Sequence, residues 1–159
     1  MPVPIFPDIQ QLQKKTPRFN AFRKAAWDHH YQAVLGPAWT PTVADGKPLL
    51  LQASRIGEGI VGALVGSMWG GITGLEELVV HPDYIGHHVG TALVGRAATW
   101  TINNGGRALA LSTGADWPAA KFYRALGFEE VVRLPRFYFE QDFIFFVKRL
   151  PLDTQSLLA

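Results

Sequence analysis

Between Glu58 and Glu76 the chain runs for 17 residues, Gly59 to Leu75, without a charge, and six of them are glycine. Gly62, Gly66, Gly70 and Gly74 recur at every fourth position, the small-xxx-small spacing of helices packed in membranes. As a membrane helix, the run would sit at the short limit of the roughly 17 to 25 residues that cross hydrocarbon. Each glycine would also cost such a helix about 1 kcal/mol relative to alanine. As sheet strands the same residues meet no such objection, because Gly57-Glu58-Gly59 closes one hairpin and Gly70-Gly71 the next. The run is therefore expected to form strands that lead into the remainder of a sheet.

Glycine is uneven along the whole chain. Of the 16 glycines only Gly36 and Gly46 fall in the first 56 residues, and the other 14 lie between Gly57 and Gly127. With 159 residues, 48% of them hydrophobic and 18% charged, the chain has the size and mix of one domain with a substantial core (1–159), in which residues 1–48 form a helical segment and 49–150 the core. The absence of cysteine excludes a disulfide framework, a thiolate nucleophile and Cys-based metal sites, and is compatible with a reducing cytoplasm, the expected location. The stretch Met1 to Asp8 lacks the basic and apolar segments of a signal peptide. A formal charge of +2, with lysines and arginines scattered, argues against a nucleic-acid partner.

The first 40 residues read as helical. Asp8 to Lys15 is expected as a short helix, and Thr16-Pro17 supplies an N-cap and first-turn proline for a second helix reaching Leu35, before Gly36-Pro37 ends it. On that helix Phe19, Phe22, Ala26 and Trp27 share a face. Asp45-Gly46 and Pro48 then mark a turn before Leu49-Leu50-Leu51, where the sheet should begin. Onward the pattern is three strands, helix, strand, helix and two strands. Leu75 to Val80 is a strand ended by His81-Pro82. The following helix carries Val89, Leu93, Ala97 and Trp100 on one face and stops at Asn103-Asn104-Gly105-Gly106. Arg107 to Ser112 is apolar on both faces, as in a covered inner strand. The last helix is expected to open at Asp116 as cap, to carry Pro118 in its first turn and to align Ala119, Phe122, Tyr123 and Leu126, with Gly127 at its end. Phe128 to Leu134 and Asp142 to Arg149 close the pattern.

The unit most suggestive of chemistry is the strand, proline turn and helix start over residues 75 to 100. Tyr84-Ile85-Gly86-His87-His88-Val89-Gly90-Thr91 places successive backbone N–H groups at the positive end of a helix, an arrangement suited to phosphate or pyrophosphate. A glycine-bearing turn without a ligand would look the same at this level.

Two motifs in order separate these readings. Leu78-Val79-Val80-His81-Pro82-Asp83-Tyr84 with Gly86 and Val89-Gly90-Thr91-Ala92-Leu93, followed by Ala119-x-x-Phe122-Tyr123-x-x-x-Gly127-Phe128, resembles the GNAT family of N-acetyltransferases over residues 49 to 150. The resemblance implies an α/β fold (α+β): a mixed, mostly antiparallel sheet, splayed after its fourth strand to admit acetyl-CoA and flanked by helices. It implies pairing of the pantetheine arm with the backbone of Leu78, Val79 and Val80, and pyrophosphate on the N–H groups of Gly86, His87, His88, Val89, Gly90 and Thr91. Asp116, Ala119 and Tyr123 would approach the cofactor from the other side.

The implied reaction is direct attack of a primary amine on the thioester in a ternary complex, which needs a base, oxyanion donors and an acid for the thiolate. By resemblance Tyr123 is the acid, and a backbone N–H near Val80 serves the oxyanion. Strand alternation lets only one of Glu76 and Glu77 face the cleft. The resemblance favours Glu77 as base, because the family often places an acid just before the Leu-x-Val segment, and a water chain is the alternative. Leu111 offers no base where some relatives carry a glutamate. The family's loop begins with Arg or Gln and has glycine at the fourth position; here those places hold Ile85 and His88, and Gly90 is retained. That departure opens a second reading, a non-catalytic acyl-CoA-binding or interaction domain whose phosphate loop has decayed. The five histidines, including the pairs His29-His30 and His87-His88, lack the spacing of a metal site, so no metal is expected. The aromatic run Phe137 to Phe146 reads as core or a homodimer contact. Trp27, Trp39 and His30 are open candidates for an acceptor pocket, and the acceptor is expected to be a small-molecule or peptide amine, with no membrane partner.

Overall fold

The computed structural model describes residues 13–36 and 46–151. It divides into two compact units, residues 1–40 and 41–159. The expected helix at Asp8 to Lys15 falls mostly outside the described residues, as do Pro37, Trp39 and Asp45, and Gln13 to Lys15 are not helical.

The first unit contributes helix α1 (Pro17–Leu35), bounded as its sequence signals require. The Phe19 N–H donates to Thr16 Oγ1 over 3.2 Å, Pro17 occupies the first turn, and Gly36 at φ 57° ends the helix. Trp27 stacks on Tyr31 with ring centres 5.3 Å apart, and its other neighbour on α1 is His30 at 5.5 Å.

The second unit is a six-stranded sheet in the order β1-β2-β3-β4-β6-β5, where β1 is Pro48–Arg55, β2 Gly59–Trp69, β3 Ile72–Val80, β4 Ala108–Gly114, β5 Glu129–Tyr138 and β6 Gln141–Arg149. Helix α2 (Val89–Asn103) joins β3 to β4, and α3 (Pro118–Ala125) joins β4 to β5. The uncharged glycine run thus forms β2, the turn at Gly70-Gly71 and the first four residues of β3, and no helix among the described residues is long and apolar enough to cross a membrane. All neighbouring strands pair antiparallel except β3 with β4. A parallel pair requires a crossover, which α2 provides.

The core forms where α2 and α3 cover the sheet. Leu64 and Met68 of β2, Leu93 and Ala97 of α2, Leu109 of β4, and Ile144 and Phe146 of β6 are buried. Strand β4, expected as a covered inner strand, is buried at Ala108 through Leu111. One polar link pins helix to sheet: the hydroxyls of Thr73 and Thr101 lie 2.6 Å apart, and Thr101 also donates to the Ala97 carbonyl. Both hydroxyls are thereby satisfied inside an apolar environment, where an unpaired one would cost about 1–3 kcal/mol.

Two irregularities set the geometry around the site. Strands β3 and β4 pair only at Ile72, Thr73 and Gly74 with Ala108, Leu109 and Ala110, and beyond Gly74 they separate. The splay is present as expected; among the described strands it follows the third rather than the fourth. The second irregularity is a β-bulge opposite Val65 and Gly66, where Val65 pairs with Glu77 and Gly66 with Leu75. Glycine permits it, because a Cβ on residue 66 would lie 2.5 Å from the Gly74 carbonyl oxygen.

Candidate functional site

Where β3 leaves β4, a cleft of about 460 Å³ opens between the end of β3, the start of α2 and the first turns of α3. Its lining includes Leu78 and Val80 from β3, Tyr84 to Gly86 and His88 from the loop, Val89 to Thr91 from α2, and Pro118, Ala119, Phe122 and Tyr123 from α3. A cleft there follows from the topology, since an open α/β sheet leaves its crevice where neighbouring strands part. Beyond Gly74 the β4-facing edge of β3 has no strand partner among the described residues. An extended ligand can add to such an edge through its own amide groups.

The loop leading into α2 is tightly folded. Pro82–Tyr84 makes one 3-10 turn, with the Tyr84 N–H bonded to the His81 carbonyl and the His87 N–H to that of Tyr84. Gly86 follows at φ 84°. The N–H groups of Gly86, His88, Val89, Gly90 and Thr91 find no acceptor among the described residues, and the first intrahelical bond here runs from Ala92 N–H to the His88 carbonyl. Unsatisfied donors at a helix start form an anion site together with the positive end of the helix dipole.

His88 stands outside the backbone region that residues with a Cβ ordinarily adopt. It caps α2 at φ 61° and ψ 11°, the left-handed region, and its imidazole makes no capping hydrogen bond. A residue with a Cβ spends about 1–2 kcal/mol to stand there, where glycine would not.

Close packing places the first turn of α2. A Cβ on residue 62 would lie 2.8 Å from Val89 Cγ1, and one on residue 90 would lie 3.1 Å from Phe122 Cζ. Glycines at 62 and 90 therefore let the helix start settle between β2 and α3, so part of the glycine enrichment serves packing around the cleft.

Tyr123 is 7% exposed, its ring flanked by Phe122, Phe128 and Phe146 at 5.1, 5.3 and 6.2 Å. Its hydroxyl bonds to no described group, yet no side-chain oxygen or nitrogen among them is buried without a partner. The hydroxyl therefore keeps some contact with solvent, and the residue is part of the cleft lining. Burial raises its pKa above the ordinary 10, so it holds its proton through neutral pH.

The remaining expected site residues stand apart from the lining. Val79 alternates to the far face and is 60% exposed, which leaves it only its backbone to offer. His87 packs edge-on to Tyr84 at 6.3 Å, outside the cleft. Asp116 is exposed and does not cap α3: the cap is Trp117, which makes no side-chain cap bond, and Pro118 occupies the first turn. The aspartate sits one residue too early, because Trp117 is held elsewhere, its ring against Gly114 and Phe143 and its Nε1–H donating to Gln141 Oε1 at 2.7 Å.

The expectation that alternation separates Glu76 from Glu77 is also corrected. The bulge inserts Glu76 as an extra residue, so both carboxylates fall on the face opposite α2, with Glu76 accepting from the Ser67 hydroxyl over 2.6 Å. Both are exposed and neither lines the cleft.

Tyr84, Ile85, Pro118 and Phe122 line the cleft without having been singled out as site residues. Their adjacency to the loop and to Tyr123 was the available signal. No cluster of three or more histidine, aspartate or glutamate side chains suited to a metal exists among the described residues.

Three comparisons bear on this arrangement. The family model described as acetyltransferase (GNAT) matches residues 6–128. An uncharacterized N-acetyltransferase of Methanocaldococcus jannaschii is 39% identical over 57 residues, which make up 35% of this chain and 25% of that protein. The match thus spans a quarter of the relative's length. Among solved structures, an acetyltransferase from Bacillus cereus superposes with a TM-score of 0.67 at 18% identity, covering 89% of this chain and 98% of that one. An aminoglycoside 6′-N-acetyltransferase complexed with coenzyme A superposes with a TM-score of 0.58 at 16% identity, covering 89% and 97%. At these identities the structural likeness is one of fold.

Proposed function

The chain belongs to the acetyltransferase (GNAT) family, and on that premise we propose that it is an N-acetyltransferase moving an acetyl group from acetyl-CoA directly to a primary amine. The observation that carries the reading is the cleft at the β3–β4 splay, which joins an unpaired strand edge, a row of free N–H donors and a buried tyrosine in its lining. Its dimensions and mostly apolar lining suit a pantetheine arm, and the N–H groups of Gly86 and of His88 to Thr91 suit a pyrophosphate.

Acyl-CoA, when bound, supplies an activated thioester. The edge of β3 from Leu78 to Val80 would hold the adjoining arm as an added strand, and a backbone N–H near Val80 would meet the charge that develops on the carbonyl oxygen. Tyr123 donates a proton to the departing sulfur as the carbon–sulfur bond breaks and the carbon–nitrogen bond forms. A phenol kept protonated by burial is suited to that task. The proton lost by the amine would leave through a water chain, since Glu77 and Glu76 stand exposed outside the cleft lining. The acceptor in this reading is a small-molecule or peptide amine.

The left-handed His88, together with Ile85 at the loop's first anchor, favours a second reading: a domain that binds acyl-CoA without turnover. A thiol-release assay with acetyl-CoA over a panel of amines, run beside calorimetry, separates the two. Amine-dependent thiol release supports the enzyme; saturable binding with no release for any amine supports the binding domain.

A further inference from the structure

Resting on the reading of the cleft as the seat of acetyl transfer, we infer that Trp117 and Tyr138 form an acceptor-binding wall beside the β3–β4 gap, and that the preferred acceptors carry their primary amine on an aromatic ring. The gap has two sides. On the α2 side lies the cleft already given to the cofactor, so an amine reaches the thioester from the other side of the sheet. The residues that alternate to that other side are Glu77 and Val79 on β3 and Ser112 and Gly114 on β4, whereas Leu109 and Leu111 point into the core with α2. The indole of Trp117 lies on this outer side at the end of β4, since a Cβ on residue 114 would stand 2.5 Å from its ring. Trp117 immediately precedes Pro118 and Ala119 of the cleft lining, so the wall begins where the cleft ends.

The wall is fixed in place yet uncovered. The Trp117 Nε1–H donates to Gln141 Oε1 over 2.7 Å, and its ring meets Phe143 edge-on at 5.3 Å. Phe143 in turn meets Tyr138 at 5.2 Å, and Tyr138 meets Phe137 at 4.5 Å. Trp117 nevertheless remains 39% exposed and Tyr138 50%, and Phe145, the partner of Ser112, is exposed as well. Rings held rigid but open to solvent offer a ligand contact area at little entropic cost. Their placement costs the fold elsewhere. Trp117 takes the N-cap position of α3 without a capping bond, one residue after an aspartate that could have made it. The turn Phe139-Glu140, which sets Tyr138 opposite Gln141, is left-handed at both residues, with φ 53° and 55°, where asparagine and glycine stand without strain. Across the gap Glu77 has no hydrogen-bond or ion-pair partner among the described residues, and its charge attracts a cationic amine. A second copy of the chain is a poorer occupant, because the edge strand β5 loses its register between Leu134 and Tyr138, across Pro135 and the left-handed Arg136, which opposes edge pairing.

The test is the thiol-release assay with acetyl-CoA and paired amines, 2-phenylethylamine against ethanolamine and phenylalaninamide against alaninamide, with calorimetric CoA binding as the check of folding. Wild type should favour the aromatic member of at least one pair about thirtyfold in kcat/KM, the worth of covering most of one ring. Trp117→Leu should cut that ratio about tenfold, through KM for the aromatic amine, and Tyr138→Leu about threefold, both with wild-type CoA affinity. Trp69→Leu, at the far end of β2, should keep the ratio. A wild-type ratio near one in both pairs, or a ratio unchanged in W117L, overturns the inference and leaves the cleft reading standing. If W117L no longer binds CoA, an unchanged ratio in Y138L does the same. A wild-type dimer that Y138L dissolves gives the wall to a second copy and likewise overturns the inference. CoA binding without thiol release from any of these amines overturns it in favour of the binding-domain reading. Failure of wild type to bind CoA overturns the cleft reading, and this inference with it.

Discussion

Substituting Gly62 by alanine tests how the cleft is positioned. The new Cβ would stand 2.8 Å from Val89 Cγ1, 3.2 Å from Leu93 Cδ1 and 3.3 Å from the Val79 carbonyl oxygen. Carbon atoms are in contact at about 3.5–4.0 Å, so Val89 must change rotamer or the start of α2 must lift by roughly 0.7 Å. Overpacking of this kind costs about 1–3 kcal/mol, while replacing a mid-strand glycine returns about 0.5–1 kcal/mol. The net expectation is a loss of about 0.5–2 kcal/mol, or roughly 2–8 °C in Tm for a chain of this size. Because Val89 opens α2, CoA affinity should fall as well. Urea denaturation of G62A, V89A and the double variant forms a cycle in which V89A removes the clashing methyl, so the pair should be at least about 0.5 kcal/mol less destabilised than the sum. If G62A is stabilised by about 0.5–1 kcal/mol, as an unobstructed strand position would be, or if the cycle is additive, the start of α2 is not docked on β2 as described.

Tyr123→Phe should lower kcat by about 10²–10⁴ in the thiol-release assay with little change in KM for acetyl-CoA, and wild-type kcat should fall on the alkaline side only above pH 10, since burial raises the phenol's pKa. Phe146→Ala removes a ring that is 0% exposed and packs on Tyr123, and should cost about 3–5 kcal/mol in urea denaturation. Asp142 accepts from the Arg136 backbone N–H and the Arg133 guanidinium, which hold its carboxyl below the usual 3.8. A lowered folded-state pKa stabilises above the unfolded value and loses that contribution as pH falls through the folded one. Asp142→Asn should therefore lower Tm at pH 7, and the difference from wild type should shrink as pH falls below the usual carboxylate range.

Elements marked by local chemistry were legible in the sequence. Thr16-Pro17 and Gly36 bound α1 as their capping chemistry dictates, and Gly57 to Gly59 and Gly70-Gly71 close the two hairpins where they were expected. The order of strands and helices, the covered β4 and the loop from Gly86 to Thr91 followed from hydrophobic period and turn residues. What stayed hidden depends on contacts across the fold. The bulge at Glu76 exists because Gly66 lets the Gly74 carbonyl approach, a register fact invisible along one strand. Asp116 has the chemistry of a cap, but Trp117 takes the position because its indole is fixed by Gly114, Phe143 and Gln141. The positive φ of His88 could not be read from a residue type that rarely adopts it. Gly62 and Gly90 looked like membrane spacing and a phosphate loop respectively, and their close approaches to Val89 and Phe122 emerged only from packing.

The account turns on the cleft at the β3–β4 splay being the seat of acetyl transfer, and a crystal structure with bound acetyl-CoA tests that directly. The account predicts pyrophosphate oxygens on the N–H groups of Gly86 and of His88 to Thr91, the pantetheine arm along Leu78 to Val80, and the thioester sulfur within hydrogen-bond distance of Tyr123 Oη. Acetyl-CoA bound elsewhere, or its sulfur turned away from Tyr123, would contradict it.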